Sequence, residues 1–160
     1  MRPIQQWFDA YGESHQNQTN KLIHWVCVPL IFFSIIGLLA SIPSGALKEL
    51  FPLPMQPFAH FGTVVILLGL LFYLRLSFAM FLGMAIVCAF VLRAIYVVDT
   101  AFATPLWLIC VVIFVLAWIG QFYGHKVEGK KPSFLKDLQF LMIGPAWLLG
   151  FIYRKLGIPY

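Results

Sequence analysis

The chain has 160 residues, of which 61% are hydrophobic, 17% aromatic and only 11% charged. A soluble domain carries roughly a quarter of its residues as charges, so this composition excludes an ordinary soluble enzyme and points to one membrane-embedded helical domain over residues 1–160. The formal net charge is +5, and the three cysteines (Cys27, Cys88, Cys110) all fall in apolar runs, which argues against a disulfide framework or a thiolate metal site.

The first 20 or so residues contain Arg2, Asp9, Glu13, His15 and Lys21 and no apolar core, so no cleavable signal peptide is expected. An amphipathic helix lying along the interface is expected over about 3–16, followed by a break at Asn17, Thr19 and Asn20, residue types that favour helix caps. A membrane span needs about 20 apolar residues, with roughly 17 to 25 tolerated. Residues 22–41 fit, with His24 as the one ionisable group. Residues 42–57 contain four prolines with Lys48 and Glu49 and read as a loop. A second, short span is expected over 58–74, a tight turn at Arg75 and Ser77, and a third span over 76–98. The run DTAFATP is a further loop, with Pro105 placed to open a fourth span over 105–123. The remainder is broken by Gly144-Pro145, and residues 138–152 read as a re-entrant or interfacial segment. The fold class is thus all-α, a polytopic bundle of four transmembrane helices with an N-terminal interfacial helix and a broken C-terminal one.

Four spans return the chain to its starting face. The cluster YGESHQNQTNKLIHW (11–25) and the cluster GQFYGHKVEGKKP (120–132) then share a side. Of the eleven Lys and Arg, nine (Arg2, Lys21, Arg75, Lys126, Lys130, Lys131, Lys136, Arg154, Lys155) fall on that side, Lys48 on the other, and Arg93 within a span. This asymmetry predicts that both termini and both clusters face the cytoplasm, in a bacterial inner membrane or, in a eukaryote, the endoplasmic reticulum.

The four histidines divide accordingly. His15, His24 and His125 meet on the cytoplasmic face, while His60 opens the second span on the far side and reads as a satisfied polar residue. Imidazole is the commonest transition-metal ligand near neutral pH. His15 and His24 are nine residues apart, half a turn out of phase on one helix, so they converge only if the chain breaks between them. Asn20 and His24 share a helix face at i, i+4, and Gln121 and His125 repeat that spacing, with Glu128 one turn on. Three nitrogens, with a possible carboxylate from Glu128, Glu13 or Asp9, suit non-haem iron(II) better than structural zinc. Asn20 and Gln121 suit positions that orient imidazole. The same residues also read as helix caps and hydrogen-bonding partners of helix ends, in a non-catalytic membrane protein or a small transporter. The residue types alone leave both readings open.

The segment YGESHQNQTNKLIHWVCVP resembles the pattern Tyr-x3-His-x4-Asn-x3-His-x4-Pro, met by Tyr11, His15, Asn20, His24 and Pro29. WIGQFYGHKVEGKKPSF resembles a second signature met by Gln121, Gly124, His125, Glu128 and Pro132. Both are similar to signatures of the small membrane-protein family whose fungal endoplasmic-reticulum member is a 2-hydroxy-fatty-acid dioxygenase. The resemblance covers the whole chain in order and length. It implies an iron(II) (Fe2+) enzyme that uses O2 to shorten a 2-hydroxy fatty acid by one carbon in lipid alpha-oxidation, with His15, His24 and His125 as metal ligands. The expected partners are that lipid substrate, O2 and membrane lipids, with no nucleic acid. Lys21, Lys126 or Lys130 is expected to neutralise the substrate carboxylate, and the acyl chain to lie among Phe- and Leu-rich helices.

Overall fold

The computed structural model describes residues 4–129 and 141–160. Its described elements are helical, with no strand among them: α1 (Ile4–Gly12), α2 (Gln18–Ala40), α3 (Gly45–Glu49), a 3-10 turn (Leu53–Phe58), α4 (Phe61–Leu76), α5 (Phe78–Ala101), α6 (Leu106–Glu128) and α7 (Ile143–Leu156). Three of these, α2, α5 and α6, have 23, 24 and 23 residues and are long and apolar enough to cross a membrane. At 1.5 Å per residue each extends about 35 Å, whereas α4, with 16 residues, is shorter.

Local chemistry sets the boundaries. The Asn17 side chain accepts from the Thr19 and Asn20 main-chain N–H groups and starts α2, a cap of about 1 kcal/mol. Ser77 ends α4 and starts α5, its side chain accepting from Met80 N–H at 3.3 Å, which is the tight turn expected there. Gly129 ends α6 at φ 73°, a left-handed conformation that glycine adopts without a Cβ clash.

Several expected boundaries move. Helix α5 runs on through Asp99, Thr100 and Ala101, which the sequence suggests as loop, and the Thr100 hydroxyl donates back to the Tyr96 carbonyl at 2.8 Å. Helix α6 continues past 123 to Glu128, so Gln121, His125 and Glu128 all ride on it. The interfacial helix ends at Gly12, leaving His15 in the turn beyond it. The expected break at Gly144-Pro145 is corrected: both residues lie in the first turn of a continuous α7. A first-turn N–H has no partner inside the helix, so proline there removes nothing. Residues 138–140 of the expected C-terminal segment lie outside the described residues.

Helix α2 is the axis of the packing. Within its apolar window 44% of residues are buried, against 22% for α5 and 28% for α6, and it packs on α4, α5, α6 and α7. Its partnership with α6 is the most extensive and runs antiparallel. A Cβ on Gly37 would strike Cys110, one on Gly120 would stand 2.7 Å from Cys27 Sγ, and one on Gly124 would strike the Asn20 amide oxygen. Small residues at a helix crossing let backbones approach in lipid, where packing replaces the hydrophobic drive. Helix α7 closes the same end. The Tyr153 hydroxyl donates to the Ala79 carbonyl at 2.7 Å and the Tyr73 hydroxyl to the Met142 carbonyl. The outer faces of α4, α5 and α6 present Leu67, Leu71, Ile86, Phe90, Val112 and Leu116 to the surroundings, as lipid contact requires.

Candidate metal centre

The antiparallel register of α2 and α6 sets the start of one helix against the end of the other. There three chain segments deliver one histidine each. His15 follows α1 in a turn closed by its N–H to the Gly12 carbonyl at 3.0 Å, and its ring stacks on Tyr11 with centroids 4.2 Å apart and planes 15° from parallel. His24 comes from the second turn of α2 and His125 from the last turn of α6. Ring centroids lie 4.2 Å apart for His15–His24, 5.4 Å for His15–His125 and 5.2 Å for His24–His125. All three are buried, at 1%, 1% and 3% exposure.

Main-chain carbonyls orient two of the rings. His15 Nδ1 lies 2.6 Å from the Tyr11 carbonyl oxygen and His24 Nδ1 2.9 Å from that of Asn20. A carbonyl only accepts, so Nδ1 carries the proton on both rings and Nε2 is left as the basic nitrogen. This is how metal-binding imidazoles are commonly aimed. One ligand atom from each of the three histidines lies within 4.8 Å of the others. Two nitrogens on one ion with bonds near 2 Å are separated by at most about 4 Å, so slight inward rotation closes the group on a cation. Imidazole nitrogens gathered in a buried group fit a transition metal, and the three buried free cysteines do not belong to the cluster. Cys27 and Cys110 instead fill the glycine contacts between α2 and α6.

The other residues singled out from the sequence have distinct positions. Glu128 ties the segments together: Oε1 accepts from Gln16 N–H at 2.8 Å, and Oε2 accepts from Asn17 N–H at 2.9 Å and from Asn20 Nδ2 at 3.0 Å. Asn20 Nδ2 also donates to the Ser14 carbonyl at 3.2 Å. Gln121 is buried and its side chain lies close to that of His24. Together with Tyr11 and Trp118 it lines a small cavity of about 30 Å³. Lys21, Asp9 and Glu13 line a separate cleft that reaches His15, while Lys126 is exposed and not among that cleft's lining residues. Lys130, Lys131 and Pro132 lie outside the described residues. His60 stands at the other end of the bundle as the cap of α4, its Nδ1 accepting from Thr63 N–H at 3.2 Å.

Sequence reasoning missed Trp147 and Arg154 of α7. The Trp147 ring lies 5.4 Å from His15 and 5.1 Å from Tyr11, and Arg154 lines the cleft beside Lys21. The unbroken apolar stretch after Pro145 was a usable signal, since residues 143–150 are all buried, so this part of α7 is enclosed on every side.

A family model described as 2-hydroxy-palmitic acid dioxygenase Mpo1-like matches residues 1–156. The chain belongs to this family. Among curated proteins and solved structures, no match was found. The family description names a dioxygenase, and among the described residues the buried histidine trio is a group that could hold a metal ion.

Proposed function

We propose that the chain is an iron(II)-dependent dioxygenase that shortens 2-hydroxy fatty acids by one carbon at the cytoplasmic face of the membrane. The observation that carries this reading is the convergence of His15 and His24 with His125, about a hundred residues further along the chain, in one buried group. These three hold the metal, Asn20 and Gln121 orient His24, and Glu128 holds the loop that carries His15 against α6. Lys21, on the cleft leading to His15, neutralises the substrate carboxylate, with Lys126 at the surface beside the site. The whole chain acts as one membrane-embedded unit with four spans. Helix α4 covers about 24 Å at 1.5 Å per residue, close to the hydrocarbon thickness once its capping residues are added. The excess of Lys and Arg that the sequence assigns to the histidine side supports a cytoplasmic position for that end and both termini.

The chemistry explains the donor set. Closed-shell side chains do not activate O2; a redox metal supplies that step when bound. Converting a 2-hydroxy acid to the acid one carbon shorter, with CO2 and water as the other products, removes four electrons from the substrate. One O2 accepts four, so no further reductant is needed. The protein's own contribution is to aim the imidazoles, exclude water from the group, and hold an amphiphile at headgroup depth. Its tail adds roughly 0.8 kcal/mol of affinity per buried methylene.

The test is mass spectrometry of 2-hydroxypalmitic acid incubated with detergent-purified protein, Fe2+ and O2. The expected result is a fifteen-carbon product dependent on iron, O2 and all three histidines. Purified protein that retains no iron and leaves 2-hydroxy acids of every length intact would overturn the proposal.

A further inference from the structure

A cleft of about 320 Å³ runs between α1, the start of α2 and α7, and reaches His15. Its lining carries both signs of charge. Asp9 from α1 and Glu13 just after it line the cleft, as do Lys21 from α2 and Arg154 from α7. Among the described residues neither Lys21 nor Arg154 forms an ion pair. Arg154 is nonetheless held in place: Nη1 donates to the Tyr160 hydroxyl at 2.7 Å, and Cζ lies 4.6 Å from the centre of the Phe151 ring. One of its five N–H donors is thereby engaged, and guanidinium presents the others in a planar fork matched to a carboxylate.

Aromatic rings lie beside these cations. Trp147, Phe151 and Arg154 follow at spacings of four and three on α7, and Lys21 and Trp25 at four on α2, so each set occupies one helix face. The Trp147 and Phe151 rings meet edge-on at 4.6 Å, and Trp25 faces Phe151 at 6.3 Å. Leu22, next to Lys21, and Ile152, next to Phe151, are exposed apolar side chains on the same two helices. Cationic, aromatic and exposed apolar side chains gathered on these two helices match a molecule with one carboxylate and a long tail.

We propose that Arg154, with Lys21, binds the carboxylate of the incoming acyl substrate, and that the tail passes to and from the membrane along the seam of α2 and α7 where Trp25 meets Phe151. The proposal rests on the reading of the substrate as a 2-hydroxy fatty acid. Asp9 and Glu13 repel a carboxylate and so direct it to the cations. Binding there sets the carboxyl end, with its neighbouring hydroxyl, in the cleft that His15 lines. Arg154 is a specificity residue in this scheme and takes no part in holding the metal.

The test uses the full-length chain in detergent without added iron, and follows quenching of tryptophan fluorescence by 2-hydroxypalmitic acid brominated on its tail. The acid is expected to quench the native chain. Arg154→Ala should weaken its binding about tenfold, as loss of a charge-assisted pair does. Arg154→Glu should weaken it further, and Arg154→Lys should restore part of it. The methyl ester of the same acid should bind all four forms alike, and all four should retain the same iron after loading. Equal binding of the acid by native chain, Arg154→Ala and Arg154→Glu would overturn the proposal. So would an ester that weakens in parallel with the acid, since that would mark a structural role. Arg154-dependent binding without turnover of any 2-hydroxy acid would refute the proposed reaction and leave this carboxylate site standing. Turnover with a KM unchanged by Arg154→Glu would do the reverse.

Discussion

At one end of the bundle His15, His24 and His125 sit ring against ring, while at the other His60 sits apart from them. Burial does not distinguish the two ends, because His60 at 5% exposure is nearly as enclosed as His125 at 3%. The difference lies in what each imidazole does with its nitrogens. His60 uses Nδ1 as an acceptor for the N–H of Thr63 and completes a helix cap within its own segment. His15 and His24 turn Nδ1 onto main-chain carbonyls, which directs Nε2 away from their own segments and towards residues brought by other helices. A buried histidine facing its own backbone is structural, whereas several aimed across helices at one another can share a ligand. His60 also borders a cup of about 560 Å³ with Lys48 and Asp99, where it is the single imidazole among the described lining residues.

Substitutions can break or sharpen this contrast. The largest effect is expected from His15→Ala, His24→Ala and His125→Ala. Each should lower iron retention and turnover by more than about a hundredfold, beyond the range seen when a partner that merely orients a ligand is lost. His60→Ala should leave the iron content unchanged; if it loses iron as the others do, the contrast between the ends collapses. Glu128→Ala comes next, because it releases two main-chain N–H groups and Asn20 together. Iron affinity should fall roughly tenfold, within the range for such orienting residues, with Glu128→Gln intermediate, both measured by competition with a chelator. Gly124→Ala should destabilise the fold by about 1–3 kcal/mol through overpacking against Asn20, read as a lower midpoint of thermal unfolding in detergent. The smallest effect belongs to His60→Ala on stability, about 1 kcal/mol for a lost cap. His60→Asn, which can still cap, should recover most of it.

Much of this arrangement was legible because lipid constrains sequence so strongly. Hydropathy alone marks α2, α5 and α6, and Asn17 and Ser77 mark their boundaries by side-chain capping. The convergence of His15, His24 and His125 followed from counting helix reversals and positive charges, with no side-chain geometry required. Helix ends at the interface were harder to place. Asp99 and Thr100, or Lys126 and Glu128, reduce hydropathy without reducing helicity, because polar side chains at these ends reach water or bond to neighbouring carbonyls and N–H groups. Gly144-Pro145 misled for a related reason: the same dipeptide breaks a helix in its middle and is harmless in its first turn. Arg154 and Trp147 were invisible because their roles depend on where α7 docks. That docking is set by two tyrosine hydroxyls reaching distant carbonyls, Tyr73 to Met142 and Tyr153 to Ala79, a long-range pairing with no periodic trace in the sequence.

The antiparallel seam of α2 and α6 also has a consequence for biogenesis. A ribosome releases His15 and His24 about a hundred residues before His125, and in the meantime the nascent protein holds two imidazoles and no third. The cation pocket therefore comes into being only after the last long helix has entered the bilayer and slid into register against the first. A product truncated before α6 would carry α2, α4 and α5 but only two of the three clustered histidines, so the trio is complete only in a fully inserted chain.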